Sequence, residues 1–196
     1  MKIIGAIIAG GQSRRMEARE KAFLKLAGRP ILSHVIERQA PQVDRLVINA
    51  NGDPARFSEF ALTVIPDILT TLTTPLAGLH AALAFSKSVG ADVLVTVPSD
   101  TPFLPPDLVK RLLESKGSAA IAASNDREHY IVGAWKTELL DDLGAAIAKE
   151  NLFRVKDWVQ RISAHVVMWP THPVDPFFNV NTPDDLQQVE QIVRAG

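Results

Sequence analysis

Apolar runs of strand length alternate with longer segments of helical period along most of the chain. The strand-like runs lie at Lys2–Ile8, Arg45–Asn49, Leu62–Ile65, Asp92–Val97, Ala119–Ala123 and Tyr130–Trp135. The helix-like segments lie at Pro30–Ala40, Pro75–Val89, Pro106–Ser115, Thr137–Lys149, Leu152–Ile162 and Pro183–Arg194. Because crossover helices join neighbouring parallel strands, this alternation predicts a Rossmann-like, three-layer α/β/α sandwich with a mostly parallel central sheet.

Polar residues follow four of the predicted strands directly after each strand ends. They are Gly10, Gly11, Arg14 and Arg15 after the first, Asn49 and Asn51 after the second, Asp67 after the third and Asp100 after the fourth. Ligands of open α/β sheets bind beyond the carboxyl ends of the strands. The sequence therefore predicts a binding site at this edge of the sheet.

The segment after the first strand has the composition of a phosphate-binding turn. Gly10 and Gly11 allow the backbone to turn sharply and present N–H groups to an anion. Arg15 and Lys21 then supply positive charge. Neither the kinase-type P-loop motif nor the Gly-x-Gly-x-x-Gly motif occurs, which disfavours both of those nucleotide-binding classes. The alternative is a simple β-turn followed by a solvated basic stretch.

Asp100 follows a strand that is almost continuously apolar, and it lies between Pro98 and Pro102 on a stiff turn. Mg²⁺ keeps most of its water ligands and takes one or two protein carboxylates together with substrate phosphates. A single rigidly held aspartate therefore suits a magnesium site. The alternative is an aspartate that caps the turn leading to Pro106.

Length, charge and composition exclude several classes of protein. The chain has 196 residues, a size that fits one α/β domain, and a net charge of −1, which gives no overall attraction to nucleic acid or to an anionic membrane. It has no cysteine, so disulfides, thiolate metal sites and thiol nucleophiles are excluded. No signal peptide and no apolar run of about 18 residues is present. We expect a soluble, cytoplasmic protein.

Four segments, in order along the chain, resemble the motifs of the molybdenum cofactor guanylyltransferases, whose fold is of the nucleotide-diphospho-sugar transferase type. They are the segment from Ile8 to Lys21 with Gly10-Gly11 and Arg15-Met16, then Pro75-Leu76-Ala77-Gly78, then Val97-Pro98-Ser99-Asp100-Thr101-Pro102-Phe103, and finally Phe178-Asn179-Val180-Asn181-Thr182-Pro183-Asp184-Asp185-Leu186. The chain departs from this pattern at Glu17-Ala18 and at Thr74, where the family usually has glycine.

The resemblance implies transfer of GMP from GTP to the terminal phosphate of molybdenum-molybdopterin, with Mg²⁺ as cofactor and pyrophosphate as product. It implies that Arg15, Lys21 and Asp100 are catalytic, that Asp100 is the metal ligand, and that Ile8, Ala9, Gly10, Gly11, Lys21, Asn49, Asp67, Asp100, Asn179 and Asn181 bind the nucleotide or the second substrate. In the family pattern the N-terminal half of the single domain binds mainly GTP and the metal, and the C-terminal half binds mainly molybdopterin. Asn49 and Asp67 line the guanosine site.

Some of these assignments have structural alternatives. Thr182-Pro183 with two following acids is a complete helix start, so Asn181 is either a support for the cap or a substrate contact. His129 either faces the pterin or is an ordinary residue at the start of a strand. The other four histidines show no metal-ligand spacing, and Trp135, Trp158 and Trp169 are expected to pack in the core or at its rim.

The implied nucleophile is already an anion, so no general base is needed, and the sequence shows no evident serine–histidine–aspartate arrangement. Catalysis is expected to depend on alignment and on stabilisation of charge. We expect a monomer that binds no nucleic acid or membrane and makes transient contact with molybdenum-insertion proteins or acceptor apoenzymes. Two alternatives stay open: a sister nucleotidyltransferase that uses CTP, and a nucleotide-binding homologue without turnover.

Overall fold

The computed structural model describes residues 1–9 and 22–195. The strands are β1 (Ile3–Ile8), β2 (Lys25–Leu26), β3 (Arg29–Pro30), β4 (Arg45–Asn49), β5 (Thr63–Ile65), β6 (Val93–Pro98), β7 (Ala119–Ser124), β8 (Arg127–Lys136) and β9 (His165–Trp169). The α-helices are α1 (Ile31–Gln39), α2 (Pro75–Ser88), α3 (Leu108–Glu114), α4 (Leu140–Glu150), α5 (Val155–Arg161) and α6 (Pro183–Ala195). Short 3₁₀ helices lie at Ala40–Gln42, Pro54–Phe60 and Thr137–Leu139.

Seven strands form one sheet in the order β5-β4-β1-β6-β8-β7-β9, and β2 pairs with β3 in a separate hairpin. β8 is antiparallel to both of its neighbours, β6 and β7, whereas every other pairing in the large sheet is parallel. The predicted sandwich with a mostly parallel sheet is confirmed. The single antiparallel strand is possible because the short turn after β7 returns the chain directly, without a crossover helix.

Helices cover both faces of the large sheet, and the side chains of the parallel strands are apolar on both faces. One apolar cluster joins the sheet to α1, α3 and α6, and the other joins it to α2, α4 and α5. Along β1, for example, Ile7 faces the first cluster while Ile4 and Ala6 face the second. All three tryptophans are buried, as predicted, and the Trp135 and Trp158 rings stack with their centroids 5.3 Å apart.

The structure adds strands that the prediction lacks at two places, between β1 and β4 and after α5. The β2–β3 hairpin and β9 were not expected. β9 lies at an edge of the sheet, and its exposed residues Val166 and Met168 are apolar. The alternation of apolar and polar residues that identifies a half-buried strand is therefore absent from its sequence. Pro75 and Pro183 are the first residues of their helices as predicted, but Pro30 belongs to β3 and precedes α1.

Across the described residues, no helix combines the length and the apolar character needed to span a bilayer.

Candidate active site

The carboxyl ends of β4, β1 and β6 lie level with one another at one edge of the sheet. Ile8, the last residue of β1, is in register with Asn49 on one side and with Pro98 on the other. The backbone N–H of Ala9 donates to the carbonyl oxygen of Asn49 at 2.9 Å, which continues the pairing one residue beyond the strand. Among the described residues, the ends of these three strands therefore lie together at the edge where the fold rule predicts a binding site.

A network of side-chain hydrogen bonds joins the ends of β4 and β5. The buried Asn49 amide donates to the carbonyl oxygen of Ile65 at 3.2 Å and to Asp67 Oδ1 at 2.9 Å. Asn51 donates to Asp67 Oδ2 at 2.7 Å, and its amide oxygen accepts from the backbone N–H of Asp67 at 2.9 Å. Both oxygens of the Asp67 carboxylate are thus fixed by neutral donors. The network makes a rigid polar wall on the β4–β5 side of the site.

Helix α2 packs directly on this wall through Gly78. A Cβ atom added at Gly78 would overlap the Asn49 amide oxygen and would lie 3.2 Å from Cγ2 of Ile8. That amide oxygen is buried and accepts no hydrogen bond from the described residues. Only a residue without a side chain allows α2 to come this close to β4. Gly78, in the Pro75–Gly78 segment that resembles a guanylyltransferase motif, therefore has a packing role.

Asp100 lies next to the segment that contains Asn179. The backbone N–H of Val180 donates to the backbone carbonyl oxygen of Asp100 at 2.9 Å, although the two residues are far apart in the sequence. One carboxylate oxygen of Asp100 is buried. The amide oxygen of Asn179 is also buried, and it accepts no hydrogen bond from the described residues. The tertiary structure thus pairs the backbone of Asp100 with that of Val180, the residue next to Asn179.

The start of α6 has the complete cap that the sequence indicates. Thr182 Oγ1 accepts from the backbone N–H of Asp185 at 3.1 Å, and Asp185 Oδ2 accepts from the backbone N–H groups of Asn181 and Thr182 at 2.8 Å each. The reciprocal bonds are those of a capping box. The backbone of Asn181 is therefore part of the cap.

A serine, a histidine and an aspartate do meet at the end of β7, which the sequence did not lead us to expect. Ser124 Oγ donates to Asp175 Oδ1 at 2.9 Å and lies 2.8 Å from Nε2 of His129. The serine stands between the other two residues, whereas in a hydrolase triad the histidine does. Ser124 is fully buried, so the arrangement does not form a nucleophile.

Comparisons with known proteins identify the family. Residues 5–166 match the family model described as the MobA-like NTP transferase domain. The chain belongs to this family.

Relatives in the MobA-like family match over almost their whole length. The chain is 42% identical over 194 residues to a molybdenum cofactor guanylyltransferase of Bradyrhizobium sp. (strain ORS 278), covering 96% of this chain and 92% of the relative. It is also 42% identical over 195 residues to the protein of the same name from Cereibacter sphaeroides, covering 99% and 98%. These matches cover nearly the whole chain and so extend beyond the residues that the family model matches.

Solved structures show the same fold. Molybdopterin-guanine dinucleotide biosynthesis protein A from Archaeoglobus fulgidus superposes with a TM-score of 0.74 at 24% identity, covering 98% of this chain and all of that one. A CMP:2-keto-3-deoxy-manno-octonic acid synthetase matches with a TM-score of 0.67 at 16% identity over 99% of this chain. At these identities the likeness establishes the fold alone.

The residues predicted for this MobA-like site divide into three groups. Ile8, Ala9, Asn49 and Asp67 are joined by the strand register and the hydrogen bonds at the β1–β4–β5 edge. Asp100 and Asn179 are joined through Val180, and Asn181 follows in the same segment, where its backbone N–H belongs to the cap of α6. Gly10, Gly11, Arg15 and Lys21 lie outside the described residues. Asn51, Gly78, Ser124 and Asp175 were not among the predicted site residues, although Asn51 had been noted as polar at the end of its strand. Sequence offers no signal for the contact between Ser124 and Asp175, which are 51 positions apart.

Proposed function

We propose that this chain transfers GMP from GTP to the terminal phosphate of molybdenum-molybdopterin, forming the guanine dinucleotide form of the cofactor and releasing pyrophosphate. Two kinds of support agree. Relatives at about 40% identity over nearly the full chain are named molybdenum cofactor guanylyltransferases. The observation that carries the proposal in the structure is the level alignment of Ile8 with Asn49 and Pro98, since it brings the carboxyl ends of three strands to one edge of the sheet.

The β4–β5 side of the site is where the guanosine binds in this proposal. The Asp67 carboxylate is held by Asn49 and Asn51 and is partly exposed, and a carboxylate has room for further donors. Guanine and ribose present N–H and O–H groups to such an acceptor. The backbone at the end of β1, at Ile8 and Ala9, receives the nucleotide next to this wall. A rigid wall of this kind orients the base before reaction at little entropic cost.

Asp100 and Asn179 form the side of the site that suits a divalent cation, which we take to be Mg²⁺. The two side chains offer hard oxygen atoms, and the Asn179 amide oxygen is buried without a donor among the described residues. Mg²⁺ accepts such ligands and needs few of them, because water and phosphate oxygens complete its shell. When bound, the ion would neutralise charge on the phosphates. The bond between Val180 and Asp100 keeps the two oxygen-bearing residues together.

The chemistry needs alignment rather than a general base, because the attacking phosphate is an anion. Charge that spreads over the α-phosphate and the departing pyrophosphate must be stabilised in the transition state. We assign this to Arg15 and Lys21 together with the backbone N–H groups of Gly10 and Gly11. In one domain, the N-terminal half would then bind mainly GTP and the C-terminal half mainly molybdopterin.

The direct test is release of pyrophosphate from GTP, CTP, UTP and ATP in separate reactions with molybdopterin and Mg²⁺. We expect turnover with GTP. Preference for CTP would indicate a sister enzyme instead, and binding of GTP without any pyrophosphate release would indicate a homologue without turnover.

Asp100→Asn tests the assignment of the metal ligand. We expect loss of most Mg²⁺-dependent turnover with an unchanged melting temperature, because the amide keeps the shape of the side chain but removes its charge. The matched control is Asp141→Asn on α4, where the aspartate is exposed and pairs with Lys87 at the surface, so activity should not change. Full activity in Asp100→Asn would contradict the assignment.

A further inference from the structure

The end of β7 holds a chain of three hydrogen-bonded side chains that the reaction described above does not use. Ser124 Oγ donates to Asp175 Oδ1 at 2.9 Å, and the Nε2 atom of His129 lies 2.8 Å from the same Oγ. Asp175 Oδ1 also accepts from the backbone N–H of Phe177 at 2.9 Å. Ser124 is fully buried, so water does not compete for these bonds.

The number of protons available to these three side chains determines which ring nitrogen of His129 is protonated. A serine hydroxyl has one proton, and an ionised carboxylate can only accept. Since the Ser124 proton is given to Asp175, the contact with His129 requires Nε2–H to donate to Ser124 Oγ. A neutral imidazole that is protonated on Nε2 has its lone pair on Nδ1. The network therefore makes Nδ1 of His129 a hydrogen-bond acceptor.

The surroundings of the ring favour the neutral form and hold the ring in place. Burial lowers the pKa of His129, and Arg127 lowers it further, while Asp175 opposes both effects. The ring packs against Phe177 with the centroids 4.9 Å apart, and Phe177 in turn meets the edge of Trp169 at 5.3 Å. His129 is partly exposed, and within the described part of the chain no donor is hydrogen-bonded to its Nδ1.

The ring lies on the same edge of the sheet as Asp100 and Asn179. Ser124 is the last residue of β7, which runs in the same direction as β6. The segment that begins at Asp175 continues to Val180, whose N–H is bonded to Asp100. The ring is thus tied to the segment that carries Asn179. A neutral acceptor does not suit a phosphate, which at neutral pH is mostly deprotonated and itself needs donors. It suits the N–H groups of a heterocycle.

We propose that His129 binds the second substrate by accepting an N–H hydrogen bond from its pterin ring at Nδ1, and that Ser124 and Asp175 are positioning residues that fix the proton on Nε2. This inference rests on the proposed function, because it takes molybdopterin as the second substrate.

The tautomer is tested on the protein alone by NMR of the histidine ring nitrogens at pH 7.5. The signal missing from His129→Gln assigns the ring. We expect the Nε2–H form in the wild type and a mixture of both tautomers in Ser124→Ala, with Asp175→Asn close to the wild type because it keeps an acceptor oxygen. A wild-type ring protonated on Nδ1 would overturn the proposal.

The binding role is tested by measuring KM for molybdopterin and for GTP separately. His129→Gln places an amide near the Nε2 position, so it keeps a partner for Ser124 but loses the acceptor at Nδ1. We expect KM for molybdopterin to rise at least tenfold while KM for GTP changes less than twofold. His129→Asn, whose amide lies near the Nδ1 position, should recover part of the loss. The exposed His165 on β9 supplies the control, His165→Gln, which should change neither value.

The outcomes separate this inference from the proposed function. Wild-type protein that releases no pyrophosphate with any nucleotide would refute the proposed function. An active wild type with an unchanged KM for molybdopterin in His129→Gln would refute the His129 inference alone. An equal rise of both KM values, with a lower melting temperature, would show a purely structural role and would overturn it as well.

Discussion

Replacing Gly78 with alanine should damage both the stability of the protein and its affinity for GTP. This glycine allows α2 to pack on the polar wall at the ends of β4 and β5, where we propose that the guanosine binds. The added Cβ would overlap the Asn49 amide oxygen, with Cγ of the same residue at 3.1 Å and Cγ2 of Ile8 at 3.2 Å. Asn49 is fully buried and is tied to Ile65 and Asp67. It cannot move aside without breaking those two hydrogen bonds.

The size of the effect follows from two opposing contributions. Overpacking in a well-packed interior typically costs about 1–3 kcal/mol, and breaking a hydrogen bond to the Asp67 carboxylate brings the cost toward the upper end of that range. Replacing a helical glycine by alanine returns up to about 1 kcal/mol. We expect a net loss of about 1–3 kcal/mol in the free energy of unfolding. For a chain of this length that corresponds to a melting temperature lower by roughly 2–12 °C.

Gly144 provides the matched control, since it is also a helical glycine, in the interior of α4. A Cβ there would meet only Nε2 of His80, at an ordinary distance of 3.8 Å. Gly144→Ala should therefore stabilise the protein by up to about 1 kcal/mol through helix propensity alone. The same chemical change is expected to have opposite signs at the two sites.

The assays are thermal unfolding and KM for GTP. Displacement of Asn49 and Asp67 should raise KM for GTP about tenfold in Gly78→Ala, which corresponds to about 1.4 kcal/mol of binding free energy. Gly144→Ala should leave KM unchanged. A Gly78→Ala variant as stable as the wild type, with an unchanged KM, would refute the reasoning that close packing fixes Asn49. Equal destabilisation by both substitutions would show a general effect of alanine instead.

Two further predictions concern the core and the pH dependence of stability. Thr96→Val removes the Oγ1 that accepts from Trp135 Nε1 at 2.9 Å and donates to the carbonyl oxygen of Ile131 at 2.7 Å, so buried polar groups lose their partners. We expect the free energy of unfolding, measured with urea, to fall by about 2–4 kcal/mol. The control Thr63→Val, at an exposed position, should change it little, and an equally large loss in both variants would contradict the prediction. Burial lowers the pKa of His80 below the usual value of 6.5. Between the lowered pKa and 6.5 the unfolded chain therefore binds more protons at this residue than the folded chain does. The contribution of His80 to the free energy of unfolding should fall as the pH drops from 6.5 through the lowered pKa, and it should stay constant above pH 6.5. Urea midpoints measured from pH 7.5 to 5 should show a shallower decline in His80→Gln, and an identical pH profile would refute the assignment to His80.

Much of the fold could be predicted because its signals are local. The alternation of strand-length and helix-length apolar segments determined the sandwich, and Pro75 and Pro183 marked two helix starts correctly. The rule that ligands bind beyond the carboxyl ends of strands then selected Asn49, Asp67 and Asp100 as candidates. Each of these inferences needs only a few consecutive residues, since the periodicity of an element and the residue at its end are written in the same short segment.

Only the tertiary structure decided which distant residues meet. It placed β8 antiparallel between β6 and β7, and it added β9 at the edge of the sheet. The exposed side chains of β9 are apolar, so its sequence shows no alternation of apolar and polar residues. It also brought Gly78 against Asn49 and Ser124 against Asp175. The physical reason is that the spacing of apolar residues reports on a single helix or strand. A close backbone approach or a hydrogen bond between loops depends instead on how separate elements pack, and the sequence around each residue does not record that packing.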